Sequence, residues 1–116
     1  MPKRKLDPLP PAAFQILLAL AGADLHGYGI MRQVADQTGG RVRLGPGTLY
    51  SSIQSLVEEK LIEEIKPADG KETDQDRRRV YRLSSAGRKL ARNEAARLAD
   101  VLRVARAKNI LRGDYV

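Results

Sequence analysis

The sequence predicts a mainly helical domain that carries one small β-hairpin and ends in a long helix. Three observations predict it. Apolar residues recur at helical spacing in the first half of the chain, and two short apolar segments flank a polar stretch of ten residues, Pro67 to Asp76. After Gly87, neither proline nor glycine interrupts the chain until beyond Ile110.

Each element has a local reason. Pro10-Pro11 suits a helix start, and Phe14, Leu17, Leu18 and Ala21 share one face before Gly22 stops the helix. A second helix is expected from about Tyr28, with Ile30, Met31 and Val34 on one side and Gly39-Gly40 as its stop. Arg41 to Leu44 is an extended connector or a minor strand. Gly45-Pro46-Gly47 then breaks the chain and places a proline where a third helix begins, its apolar face being Leu49, Ile53, Leu56 and Val57. Leu61 to Lys66 and Arg79 to Leu83 read as two strands, and the segment between them, with its Asp69-Gly70 turn signal, reads as a projecting loop. Ser84-Ser85 offers an N-cap for a last helix running to about Ile110. The expected division is a basic arm at 1–8, a helical domain with its hairpin at 9–84, a terminal helix at 85–112 and a tail at 113–116.

Composition removes several chemistries. The chain has 116 residues, no cysteine, no tryptophan and one histidine, His26. Disulfides, thiolate zinc sites and cysteine nucleophiles are excluded, and one histidine cannot build a His-based metal cluster within a chain. A Ser-His-Asp machine would have to be built around His26, which has no triad motif near it, so no catalytic residue, metal or cofactor is expected. The longest apolar run, Ile16 to Ala21, has six residues, whereas a membrane span needs ~20. Lys3-Arg4-Lys5 ahead of Ala21-Gly22-Ala23 imitates a secretory signal, but Asp7, Pro10-Pro11 and Gln15 break the pattern, and a cytoplasmic protein is expected.

The formal charge is +7, unevenly placed. Residues 1–45 carry six basic and three acidic side chains, 46–76 three and eight, and 77–112 twelve and two. The last block is a footprint for a polyanion, either nucleic acid or an anionic surface.

Three helices followed by a hairpin is the order of a winged helix-turn-helix. At 100° per residue the third helix turns Gly47, Thr48, Ser51, Ser55 and Glu58 away from its apolar face, with Tyr50, Ser52 and Gln54 on the flanks. Uncharged hydroxyls at its start and Glu58-Glu59 at its end suit entry into a major groove by the N-terminal end. An ordinary amphipathic helix with solvated Ser and Thr fits the same pattern. Arg77-Arg78-Arg79, where the loop meets the second strand, adds phosphate or minor-groove contacts, or else a solvated run paired with Asp74 and Asp76.

These residues resemble the PadR-like transcriptional regulators. The family's second helix typically opens with His-Gly-Tyr, as in His26-Gly27-Tyr28-Gly29; its recognition helix is similar to Gly47-Thr48-Leu49-Tyr50 with Leu56, Leu61 and Ile62; and its hairpin return resembles Arg77 to Gly87, with Tyr81, Leu83 and Ser84 in register. The likeness covers about residues 9–105 and implies a homodimer that binds operator DNA and represses transcription until an effector or cellular signal weakens it. It implies that Tyr28, Thr48, Tyr50 and Ser51 lie at the DNA surface and that Arg77, Arg78 and Arg79 form the wing contact. With the helix reading, the expected DNA-binding set is Tyr28, Thr48, Tyr50, Ser51, Ser52, Ser55, Lys71, Arg77, Arg78 and Arg79. Members often have proline after the recognition-helix tyrosine, where Ser51-Ser52 stands here, so their base preference does not carry over. The loop is also acidic at Glu72, Asp74 and Asp76, and the interface tryptophans of members that bind flat hydrophobic drugs have no counterpart.

The other motifs have plainer readings. His26 reads as a cap or packing residue before a sensor, and Tyr28 as a ring packed on the first helix with its hydroxyl left for a phosphate. Gly27 and Gly29 permit close packing, since no G-x-G-x-x-G continues from them. In the last helix Ala91, Ala95, Leu98, Leu102, Ala105 and Asn109 form a heptad seam, which pairs two chains or packs back on its own domain. Four leucines buried between two copies are worth roughly 6–12 kcal/mol gross, against an association cost of about 4–15 kcal/mol. Val101, Ile110 and part of the first helix are therefore expected to add area, making Ala91, Ala95, Leu98, Val101, Leu102 and Ala105 the interface. The alternative function is a winged-helix module that binds protein without reading DNA.

Overall fold

The computed structural model describes residues 9–65 and 79–112. Its elements run α1 (Pro11–Gly22), β1 (Leu25–His26), α2 (Gly27–Gln37), α3 (Pro46–Glu58), β2 (Ile62–Ile65), β3 (Val80–Leu83) and α4 (Ser85–Ala107). The chain is mainly helical with a small antiparallel sheet, as expected from the sequence. The basic arm, the loop from Lys66 to Arg78 and the terminal tail lie outside the described residues.

α1 supplies the centre of the core. Ile16 and Leu17 are fully buried, and Ala13, Phe14, Ala19 and Leu20 nearly so, while Leu18 and Ala21 of the expected face are exposed, because the buried side is centred on Ile16 and Leu20. Around α1 pack Ile30 and Val34 of α2, Leu49, Ile53 and Leu56 of α3, and Leu61, Ile62, Tyr81 and Leu83 from the hairpin. Gln37 ties α2 to α1, its amide donating to the Gln15 carbonyl at 2.9 Å and to its side-chain oxygen at 2.8 Å. Val57 departs from the expected apolar face and is 37% exposed. It lies about 80° round the helix from Leu49, at the edge of the buried stripe.

Helix ends follow local chemistry. Three helices stop in the same way, with a left-handed residue after the C-cap and a 6→1 bond closing the turn. In α2 that residue is Gly39 (φ 61°), in α3 Lys60 (φ 61°) and after α4 Asn109 (φ 62°). The closing bonds are Gly40 N–H to Ala35 O at 2.7 Å, Leu61 N–H to Leu56 O at 2.9 Å and Ile110 N–H to Ala105 O at 2.9 Å. α4 therefore ends at Ala107, short of Ile110, and Asn109 belongs to a cap instead of a seam. Thr38 completes the α2 stop, since its hydroxyl donates to Val34 O at 2.8 Å and accepts from Val42 N–H at 3.0 Å. Those bonds leave Arg41 to Leu44 as a connector without strand pairing.

The sheet has a third strand that the sequence does not announce. β1 is two residues long and pairs Leu25 with Tyr81 and His26 with Val80, so the strand order is β1-β3-β2. Two residues carry no measurable alternation, which is why period-2 reasoning misses them. β2 pairs Ile62 with Leu83 and Glu64 with Tyr81.

At the open end of this hairpin, four elements meet on one carbonyl. Leu61 O accepts from Ser84 N–H at 3.1 Å and from the Ser84 hydroxyl at 2.9 Å, and that hydroxyl also approaches Lys60 O at 2.8 Å. The Ser84 Oγ in turn accepts from Gly87 N–H at 3.0 Å, capping α4. A Cβ at Gly87 would overlap Leu61 O and stand 2.8 Å from Leu83 Cδ1. Only glycine lets α4 cross the start of β2 this closely. Beyond the crossing Ala91 is buried, and the helix then runs past the core.

This corner sets an order of sensitivity. Gly87→Ala displaces backbone and should lower the unfolding free energy by about 2–3 kcal/mol, whereas Ser84→Ala loses a cap and its carbonyl bonds for about 1–2 kcal/mol; urea denaturation of both variants checks the order. Burial first, and then the facing Glu64 carboxylate, hold the Tyr81 phenol above its usual range. A phenol raised in the folded state contributes stability that is present below its unfolded value and is lost as pH rises through the folded one, so stability should fall above about pH 10. Thermal melts between pH 8 and 11 (roughly, the range that brackets a phenol) should show a shallower alkaline decline in Tyr81→Phe.

Candidate nucleic-acid interface

The start of α3 is held by its core side. Leu49 is 1% and Ile53 3% exposed, and Leu56 is fully buried, which turns Gly47, Thr48, Tyr50, Ser51 and Gln54 to solvent. Ser52 and Ser55 are half-buried, so the two outer serines of the expected set lie at the margins of the exposed face. Ser51 donates back to the Thr48 carbonyl at 3.3 Å, a weak bond that a stronger acceptor can replace. Pro46 stands at the first position and no side chain caps the helix, leaving its first free N–H groups open to an anion.

α2 buttresses this end. A Cβ on Gly27 would lie 2.8 Å from the Tyr50 hydroxyl and 3.1 Å from its ring carbons, so the glycine gives room for Tyr50 to lie against the start of α2. The His26 ring nitrogen Nδ1 accepts from Gly29 N–H at 3.1 Å and caps α2, the structural role expected of it. Tyr28 departs from the expected packing on the first helix. The residue is 57% exposed, its ring stacked on His26 with centroids 6.4 Å apart, and the Arg32 guanidinium stands 5.9 Å from its centroid. An exposed tyrosine near both an imidazole and a cation gains cation–π attraction without being buried.

Three basic residues near this surface are not singled out by sequence reasoning. Arg32 has a signal in its i+4 spacing from Tyr28. Arg41 and Arg43 alternate with Val42 and the buried Leu44 along the connector into α3, which leaves both exposed beside the helix start. The Arg43 Nε donates to Gly40 O at 3.2 Å. Acids sit at the other end, with Glu58 exposed and Glu59 half-buried.

At the loop end of the hairpin, Arg79 lies 3.4 Å from the Glu64 carboxylate, both more than one-third exposed. Such a pair is worth about 0–1 kcal/mol. Arg82 donates through Nε and Nη2 to Asp24 Oδ2 at 3.3 and 3.0 Å, joining β3 to the turn before β1. Lys71, Arg77 and Arg78 lie outside the described residues. Among the described residues, no three His, Asp or Glu side chains converge to hold a metal, and no helix is long and apolar enough to cross a membrane.

On the last helix Ala91 is buried in its own core at 7% exposure, and Ala105 is half-buried. Ala95, Leu98, Val101 and Leu102 are exposed, as is Val104 on another side.

The comparisons with known proteins agree with this architecture. A regulator from Clostridium thermocellum is similar at a TM-score of 0.68 and 22% identity, over 83% of this chain and 87% of its own. A PadR family transcription regulator from Clostridium difficile is similar at 0.70 and 20% identity, over 84% of this chain and 97% of its own. Bacillus subtilis PadR, solved in complex with operator DNA, is similar at 0.63 and 19% identity, over 76% of this chain and 48% of its own. In sequence, 88 residues, 76% of the chain, are 34% identical to an uncharacterized 37.1 kDa protein of transposon TN4556 from Streptomyces fradiae, and the match spans only 23% of that protein's length. The profile of the transcriptional regulator PadR-like family matches residues 16–93, from the middle of α1 into the first turns of α4, and the chain belongs to this family of regulators rather than to an enzyme family.

Proposed function

We propose that the chain is a homodimeric, sequence-specific DNA-binding repressor that acts in the cytoplasm, with α3 in the major groove of a palindromic operator and the wing on the backbone or in the minor groove. The observation that carries this reading is the sided chemistry of α3. Its first two turns present Thr48, Tyr50 and Ser51 without an acid, beside Tyr28, Arg32, Arg41 and Arg43, and its carboxylates stand at the far end. Hydroxyl and phenol groups donate to and accept from base edges, while the flanking cations neutralise phosphates and set the register. That the similar Bacillus subtilis PadR was solved in complex with operator DNA supports duplex DNA as the partner here. Arg77, Arg78 and Lys71 extend the phosphate contacts from the wing, joined by Arg79 once it exchanges Glu64 for a phosphate.

The exposed stripe of α4 supports the dimer. Leu98 (36%), Leu102 (41%) and Val101 (50%) lie beyond the reach of the chain's own core. A second copy packed antiparallel or parallel along Ala95, Leu98, Leu102 and Ala105 covers them, with Val101 at its edge and Ala91 at the end already shared with the core. Two copies related by a two-fold axis set two α3 helices against two half-sites about 34 Å apart or a multiple of that.

If each subunit makes ~3–5 phosphate contacts, log K for promoter fragments should fall with log salt at a slope of about −5 to −9 for the dimer. A flat slope, with salt-independent capture of a protein, would favour the interaction-module alternative. Replacing Arg77, Arg78 and Arg79 by Ala should weaken all sequences together, whereas Thr48→Ala or Ser51→Ala should change the preference among them by about 1–3 kcal/mol for each base-edge hydrogen bond removed, measured by binding selection on random duplexes. Leu98→Asp should give a monomer in sedimentation equilibrium; a persistent dimer would place the interface elsewhere.

A further inference from the structure

One face of α4 carries a charge cluster that the α3 surface does not use. Ser85, Arg88, Lys89, Arg92 and Asn93 line an open groove of about 390 Å³ beside the end of β3. At 100° per residue these positions centre about 120° round the helix from the Ala91, Leu98 and Leu102 stripe. A second helix on that stripe leaves the groove uncovered. Along β3 the groove lies at Leu83, the end away from Val80, which follows the wing loop in sequence.

This placement of charge works against the isolated helix. Cations near a helix N-terminus oppose its dipole, α4 has no acid in its first turn, and Arg88 and Arg92 repel each other at i,i+4. Other arginines of this region are answered by a carboxylate: Arg79 by Glu64, Arg82 by Asp24, Arg97 by Glu94 and Arg103 by Asp100. Among the described residues, Arg88, Lys89 and Arg92 have no ion-pair partner, as is also true of Arg106 and Lys108 at the far end of the helix, but these three stand exposed together on one groove. Local cost without an intramolecular return is the pattern of a site that receives its counter-charge from outside.

We propose that this groove binds a phosphate-bearing anion. Planar guanidinium forks at Arg88 and Arg92 match the paired oxygens of a phosphate, Lys89 adds a third charge, and Ser85 and Asn93 supply uncharged donors. Three cations on one groove suit a group with several negative charges, such as a diphosphate, better than a single carboxylate. The phosphate has two possible sources, a free phosphorylated small molecule or the backbone of duplex flanking the segment under α3. The inference stands independently of the α3 assignment, because it rests on different residues at the other end of β3.

Titrating the isotope-labelled full chain with sodium pyrophosphate at constant ionic strength tests it. Saturable amide shifts confined to about Ser84–Asn93, half-complete below about 1 mM, are expected. The triple variant Arg88→Gln, Lys89→Gln, Arg92→Gln, checked for an unchanged thermal midpoint, should bind at least about tenfold more weakly. No saturable shift below about 10 mM, or equal binding by the variant, overturns the proposal. Duplex binding by the same variant separates the sources. Unchanged affinity and salt slope identify a free anion; a slope shallower by about 2–3 per subunit identifies the DNA backbone. A chain that binds pyrophosphate but no duplex at all removes the α3 reading and leaves the groove standing.

Discussion

The Leu61 carbonyl organises this fold. It receives both the backbone and the hydroxyl of Ser84, and it allows no side chain at Gly87. Through it the end of α3, the start of β2, the end of β3 and the first turn of α4 share one point. The left-handed Lys60 turns the chain out of α3 so that Leu61, fully buried, donates its N–H back to the Leu56 carbonyl. A carbonyl in a buried corner has to be satisfied, and the alternative is a loss of about 1–3 kcal/mol. Satisfying it through Ser84 couples the hairpin register to the helix start. A one-residue slip of β3 would remove the serine from the carbonyl and turn Tyr81 and Leu83 out of the core together.

That rigid corner has consequences at the other end of α3. The helix is clamped at its C-terminus by Leu61 and along its length by Leu49, Ile53 and Leu56, so the orientation of Thr48 and Ser51 is inherited from packing and needs no support from solvent. Tyr50 is positioned by a missing side chain, the Cβ that Gly27 lacks. The two glycines therefore serve comparable ends at opposite ends of one helix. Gly87 admits a backbone carbonyl and Gly27 admits an aromatic ring. Neither has a positive φ, so close approach, and not backbone freedom, is what glycine supplies at these positions.

Much of this architecture is legible in the sequence, and the reasons for the rest are physical. Helical periodicity over ten or more residues locates the four helices because a buried stripe leaves many matches to count. The Gly-Pro-Gly break marks the start of α3, and Ser84 marks the start of α4. β1 is hidden because two residues have no period, and its pairing depends on Tyr81 and Val80 more than fifty residues later. The end of α4 falls earlier than its periodicity suggests because a left-handed asparagine stops a helix without the glycine that normally announces it. At the site, exposure of Thr48, Tyr50 and Ser51 follows from helical phase, but the exposure of Tyr28 does not. A tyrosine on an amphipathic helix packs inward or outward according to its neighbours, and only the folded contacts with His26 and Arg32 decide it.

The distribution of charge links these observations. The net +7 is a poor guide to where a polyanion would sit, because several arginines are already matched within the domain. An exposed match of this kind is weak, about 0–1 kcal/mol, and is screened further by salt. Arg79 held by Glu64 is therefore oriented at the loop end of the hairpin yet readily released, since a phosphate offers a stronger, bidentate charge-assisted bond than a carboxylate 3.4 Å away. Pairing with a local acid in the free protein keeps the side chain from collapsing elsewhere and lowers the ordering cost on binding. The same reasoning separates two kinds of basic residue in one small domain. Arginines paired across strands or along α4 are oriented by their acids, whereas Arg88, Lys89 and Arg92 at the start of α4 stand unpaired among the described residues and against the helix dipole, so a counter-charge from outside would relieve them.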